Sequence, residues 1–184
     1  MRSDFLLTAP TCCSTAFRAE SGLASPLASY NPAPRNGVEL FYFAYNANID
    51  PQRIVGLAPG ASFEFIAHLP EWKMEFTILN GAGGLPSVRP LPGNTVWGAI
   101  FSVPNKELSA IDEQEAAEGR IRTVAQAMDR EGRRHEVVTH VSEAATEAEH
   151  DPETSYLKLM VQGGRHWKLP TGWVASLEEH LEDF

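Results

Sequence analysis

Acidic residues crowd the stretch after Ser109, where Asp112, Glu113, Glu115 and Glu118 follow in quick succession. Carboxylates at this density can transfer protons, or they can decorate a solvated helix end. Ser109 with Asp112 fits a capping box, and acids near a helix start gain from the macrodipole, so a helix terminus accounts for most of the cluster. A second polar segment lies upstream, where the strand-like residues 38–45 run into Asn46-Ala47-Asn48. Backbone N–H groups in a turn after a strand can hold a carboxylate or a developing oxyanion. Taken alone, the same three residues are equally an ordinary strand-to-helix turn.

Other chemistries find little support. The six histidines, at 68, 135, 140, 150, 166 and 180, show neither His-x-x-x-His nor cysteine-paired spacing, so no metal site is expected. Gly81-Ala82-Gly83-Gly84 lacks the Lys-Ser/Thr ending of a phosphate loop, and there is no Gly-x-Ser-x-Gly elbow. The two cysteines, Cys12 and Cys13, are adjacent and cannot join distant parts of the chain. No cofactor is expected.

A net charge of -9 disfavours phosphate backbones and anionic lipid surfaces, so neither nucleic acid nor membrane is an expected partner. No stretch approaches the run of about 18 apolar residues that spans a bilayer, and no basic-then-apolar leader opens the chain. A cytoplasmic location is the resulting expectation.

These candidates must be positioned by a chain of 184 residues, enough for one sizeable core. Residues 1–37 are rich in Ser, Ala, Pro and Gly without sustained periodicity, which predicts a flexible tail ahead of one patterned domain, 38–184. Strands are predicted at 38–45, 62–69, 72–79 and 95–103, with Pro70-Glu71 as a tight change of direction and 80–94 as a Gly- and Pro-rich loop. Asp50-Pro51 supplies an N-cap and first-turn proline for a short helix ending near Gly56. Pro104-Asn105 opens a helix to Ala117, residues 120–128 and 133–141 form a hairpin, and 143–153 is an acidic loop. Helices are predicted at 154–162 and 171–181, broken by Gly163-Gly164 and Pro170. The fold class is α+β.

Three segments together resemble one family. Tyr42-Phe43-Ala44-Tyr45-Asn46-Ala47-Asn48-Ile49, with Arg53-Ile54 after it, resembles the Tyr-Phe-Ala-Tyr-Gly-Ser-Asn-Leu signature of γ-glutamylcyclotransferases. Val96-Trp97-Gly98-Ala99-Ile100-Phe101 resembles the strand before that family's catalytic helix. Leu108-Ser109-Ala110-Ile111-Asp112-Glu113-Gln114-Glu115 resembles its Leu-Asp-x-x-Glu-Gly segment, whose last glutamate is the acid/base and falls on Glu115. The likeness spans roughly residues 39–181, in the family's order and approximate spacing.

That resemblance implies a small mixed β-barrel flanked by helices. It also implies a cofactor-independent enzyme of glutathione metabolism that releases 5-oxoproline from a γ-glutamyl amide, with a homodimer as a compatible assembly. The α-amine of such a substrate reaches its own γ-carbonyl through a five-membered ring, so the protein has mainly to fold the substrate and move protons. Glu115 would serve as general acid/base, partly desolvated, while Tyr42, Phe43, Ala44, Tyr45, Asn46, Ala47, Asn48 and Tyr156 would line the substrate site. Four positions depart from the pattern. Asn46 and Ala47 replace the loop glycine and serine, Ala116 replaces the glycine after the acid/base glutamate, and Arg122 stands where a tyrosine is expected. These departures leave open a non-catalytic binding module on the same fold, and an amide hydrolase using the same carboxylate remains a further alternative.

Overall fold

The computed structural model describes residues 39–143 and 148–182. The proposed tail and both cysteines lie outside that set. Along the chain run β1 (Glu39–Ala44), a 3-10 turn (Ala47–Ile49), α1 (Pro51–Leu57), β2 (Ser62–Leu79), β3 (Gly84–Pro104), α2 (Asn105–Ala117), β4 (Ile121–Asp129), β5 (Arg134–Val141), α3 (Thr154–His166) and α4 (Thr171–Glu182). The strands close a mixed barrel in the order β1-β3-β2-β4-β5. Every pairing is antiparallel except β5 with β1, which meet in parallel at Tyr42 and Val138. This is the α+β barrel with flanking helices that the sequence leads one to expect.

Several boundaries differ from expectation, each for a local reason. Pro70-Glu71 is not a turn: β2 runs straight through it. A register shift between Pro70 and Trp72 absorbs the missing N–H of the proline, leaving Glu71 at a φ of 63° as a bulge. The Gly- and Pro-rich stretch 84–94 likewise belongs to β3: residues 84–90 pair along the far half of β2, and 91–94 fall in the register shift opposite Glu71. Ser109 caps nothing. Its hydroxyl donates to the Lys106 carbonyl at 3.3 Å inside α2, which starts after Pro104 without a side-chain cap. Asp112 and Glu115 therefore sit in the later turns of the helix.

Strand alternation divides the core. Phe43 and Tyr45 join Ala67, Leu69, Val96, Ile100 and Val137 in a cluster built from strand residues, the barrel interior. Tyr42 and Ala44 face the opposite way, toward Ile111 of α2 and Tyr156, Leu157 and Met160 of α3. Adjacent residues of β1 thus serve different layers, and Tyr42 points at the helices.

Gly163 does not end α3, which continues to His166. A Cβ at Gly163 would lie 2.6 Å from the Ile49 carbonyl oxygen, so glycine lets the helix backbone press on the turn after β1. Trp167 fastens the same carbonyl, its Nε1 donating at 2.7 Å. Helix propensity alone favours Gly163→Ala by about 1 kcal/mol. The clash reverses the sign: we expect a net loss of about 1–3 kcal/mol, read as a lower urea midpoint.

At the β4–β5 turn, buried Asp129 accepts from the Glu131 and Arg133 amides, both at 2.9 Å, and from Arg133 Nε at 2.7 Å, and its Oδ2 lies 2.9 Å from His135 Nε2. Burial opposes its charge, but the His135 and Arg133 hydrogen bonds prevail and hold the carboxyl well below the usual range. A depressed carboxylate adds stability above its unfolded pKa of about 3.9 and loses it as the pH falls. Asp129→Asn is therefore expected to lower stability by about 1–3 kcal/mol at pH 7. Urea titrations should show the gap from wild type closing below about pH 4; a constant gap would contradict the assignment.

Candidate active site

The turn after β1 and the end of α2 meet at one carboxylate. Asn46 caps the 3-10 turn, its Oδ1 accepting from the Asn48 amide at 3.0 Å, which leaves its Nδ2 free to point toward α2. Glu115 is fully buried there. Its Oε1 accepts from Asn46 Nδ2 and Asn48 Nδ2, both at 2.7 Å, and from the Tyr42 hydroxyl at 3.1 Å. Burial and then the Glu115 charge raise the Tyr42 pKa well above its ordinary value, so the phenol stays a neutral donor.

The other oxygen, Oε2, accepts from Arg120 Nε at 2.5 Å. The helix ending explains why this arginine is present. Gly119 takes a φ of 80°, the Arg120 amide bonds the Glu115 carbonyl at 2.9 Å, and the Gly119 amide bonds the Ala116 carbonyl at 3.0 Å. This Schellman pattern folds the chain back over its last turn and returns Arg120 to the acid five residues earlier. Arg120 is fully buried and also donates to the Pro86 carbonyl, Glu118 and Tyr156. Desolvation disfavours its charge, yet Tyr156, Glu115, Tyr45 and Glu118 together raise its pKa above the arginine norm.

Glu118 closes a ring of five side chains. Its Oε1 accepts from Arg53 Nη2 at 2.6 Å, Arg53 Nε donates to Asn48 Oδ1 at 2.8 Å, and Asn48 returns to Glu115. Two arginines and two glutamates balance, as buried charges require. The Asp50 cap of α1, accepting from the Gln52 and Arg53 amides at 3.0 Å each, sets where Arg53 starts. A groove of about 810 Å³ opens beside the ring, walled by Arg53, Glu118 and Tyr156 but not by Glu115 itself.

Of the residues singled out in the sequence, Tyr42, Asn46 and Asn48 converge on Glu115. Tyr156 lies one guanidinium away, its hydroxyl donating to Glu118 Oε2 at 2.8 Å. Phe43 packs inside the barrel, Ala44 and Ala47 pack in the helix-facing core, and the Tyr45 hydroxyl donates to the His140 carbonyl at 2.7 Å. Arg122 pairs with Asp112, which also bonds His140 Nε2 at 2.8 Å, so both lie away from the ring. Arg120 is the site residue that sequence reasoning missed, whereas Glu118 stood in the acidic cluster after Ser109 without a role of its own. Gly119 directly after an acidic helix was the available signal. Among the described residues no group of His, Cys, Asp and Glu suits a metal ion, and none of their helices is long and apolar enough to cross a membrane.

The profile of the AIG2-like family matches residues 95–177, which include α2, Arg120 and α3. Mouse γ-glutamylcyclotransferase is 28% identical over 155 residues, spanning 79% of this chain and 81% of the mouse protein. The human protein of that name is 28% identical over 146 residues, 74% and 76% of the two chains. Residues 95–177 of the chain are thus similar to the AIG2-like family. A solved γ-glutamyl cyclotransferase has the same fold at a TM-score of 0.70 and 23% identity, covering 76% of this chain and 86% of its own. YkqA from Bacillus subtilis shares the fold at a TM-score of 0.69 and 20% identity, covering 79% of this chain and 55% of its own. The residues matched by that profile include Glu115.

Proposed function

We propose that the chain releases 5-oxoproline and a free amine or amino acid from a γ-glutamyl amide by internal cyclisation, with Glu115 as general acid/base. The supporting observation is the meeting of the buried Glu115 carboxylate with the Tyr42, Asn46 and Asn48 side chains at the turn after β1. Glu115 removes a proton from the substrate α-ammonium. The freed amine then attacks the γ-carbonyl carbon; as the amide C–N bond breaks the ring nitrogen gives up its second proton, and the departing nitrogen takes up both protons and leaves as an ammonium. Backbone N–H groups of the turn at Tyr45, Asn46 and Ala47 would meet the charge that develops on the carbonyl oxygen. Cyclisation needs no external nucleophile, which suits a carboxylate enclosed away from water.

The test is incubation of the protein with a panel of γ-glutamyl dipeptides and γ-glutamyl amines, with 5-oxoproline as the readout. Turnover in labelled water separates cyclisation from hydrolysis. Label in a glutamate product, in place of unlabelled 5-oxoproline, would overturn the reading in favour of an amide hydrolase. Binding without any product would favour a non-catalytic module.

A further inference from the structure

Glu118 is bound as a ligand is bound. Its Oε1 accepts from Arg53 Nη2 at 2.6 Å and from Gln114 Nε2. Its Oε2 accepts from the Tyr156 hydroxyl at 2.8 Å and from Arg120 Nη2. Four donors from α1, α2, α3 and the segment after α2 therefore surround one carboxylate. Burial first, with Glu118 and Glu115 adding to it and Arg120 opposing, holds the Tyr156 pKa well above its norm, so Tyr156 also remains a donor.

The position of Glu118 is otherwise a poor one for an acid. It is the C-cap of α2, where the helix dipole presents its negative end and repels a carboxylate. The donors keep it there against that field. It also borders the 810 Å³ groove, with 17% of its side chain exposed, so it can swing into solvent without disturbing the barrel. A departing Glu118 leaves Arg53 and Arg120 facing only one anion, Glu115. An arriving carboxylate restores neutrality, whereas a neutral ligand does not.

We propose that Arg53, Gln114, Arg120 and Tyr156 form a carboxylate-binding subsite that Glu118 itself occupies and that a ligand carboxylate takes over by exchange. On the cyclisation reading, on which this assignment rests, the ligand group is the α-carboxylate of the γ-glutamyl unit. Arg120 then contacts both partners at once, with Nη2 on the α-carboxylate and Nε on Glu115. Because the α-nitrogen shares a carbon with that carboxylate, the exchange carries the nucleophile toward the Glu115 side of the guanidinium. Glu118 acts as an internal competitor and sets a threshold against uncharged amides.

The test uses the N-butyl monoamide of glutaric acid, which keeps the carboxylate but lacks the α-amine and so cannot form 5-oxoproline. The matching N-butyl diamide, with a terminal carboxamide, is the neutral control. Calorimetric titration of the folded protein should show the acid binding at least about tenfold more tightly than the diamide, a difference of about 1.4 kcal/mol. Glu118→Gln and Glu118→Ala should each tighten the acid by about tenfold, and Arg53→Met should weaken it by about tenfold, with thermal melts confirming that each variant is folded. Equal binding of acid and diamide, unchanged or weaker binding in both Glu118 variants, or no binding by any variant would overturn the subsite. These titrations do not depend on turnover. If the acid behaves as stated and no γ-glutamyl compound yields 5-oxoproline, the cyclisation reading fails and the subsite stands.

Discussion

Glu115→Gln should lower the rate of 5-oxoproline release by about 10²- to 10⁴-fold, the usual worth of a positioned acid/base. It should also destabilise the protein, although the two side chains have nearly the same shape. Glutamate offers two acceptor oxygens here, and every neighbour of the pair is a donor: Tyr42, Asn46 and Asn48 on one side and Arg120 on the other. Glutamine has one acceptor and one NH₂. Turned one way the NH₂ meets Arg120 Nε, and turned the other way it meets both asparagine amides. Either orientation also leaves the buried guanidinium with Glu118 as its one remaining anion, for a loss of about 3–5 kcal/mol by urea denaturation. Activity must therefore be compared at a temperature where both proteins are folded. A variant that is fully folded and fully active would sink the proton-transfer role.

Much of this site was legible in the sequence. The run from Tyr42 to Asn48 and the acid at Glu115 carry family-specific order, and Asp50-Pro51 announces α1 through local capping chemistry. Local chemistry misled where tertiary pairing was stronger. Pro70 and the prolines of residues 84–94 look like breakers, but β2 and β3 pair along nearly their full lengths and absorb the irregularities as register shifts. Gly163 looks like a helix end, whereas its role is close approach to Ile49. Arg120 was hidden for a different reason. In sequence it reads as the first residue of a strand, and only the left-handed Gly119 turns it back onto Glu115. The substitution of glycine by Asn46 is also explained by geometry. Its amide spans from the turn to Glu115, supplying from a side chain a donor that a glycine could offer only from backbone.

The second large effect concerns that arginine. Arg120→Met removes the partner of a carboxylate with no exposed surface, and an unpaired buried charge costs about 3–5 kcal/mol. Part of the penalty cannot be recovered by changing Glu115 alone, because Arg120 also holds Glu118, Tyr156 and the Pro86 carbonyl. The pairing itself is recoverable. In the double variant Arg120→Met with Glu115→Met the buried anion is gone as well, and a pair of apolar groups of similar volume can be close to neutral. The two single losses should therefore sum to more than the double loss, with a coupling of about 1–3 kcal/mol in a double-mutant cycle. Urea midpoints of the four proteins measure it directly. Additivity within about 0.5 kcal/mol would mean that the two side chains do not sense each other. In that case Arg120 could not link a ligand carboxylate to the residue that moves the proton.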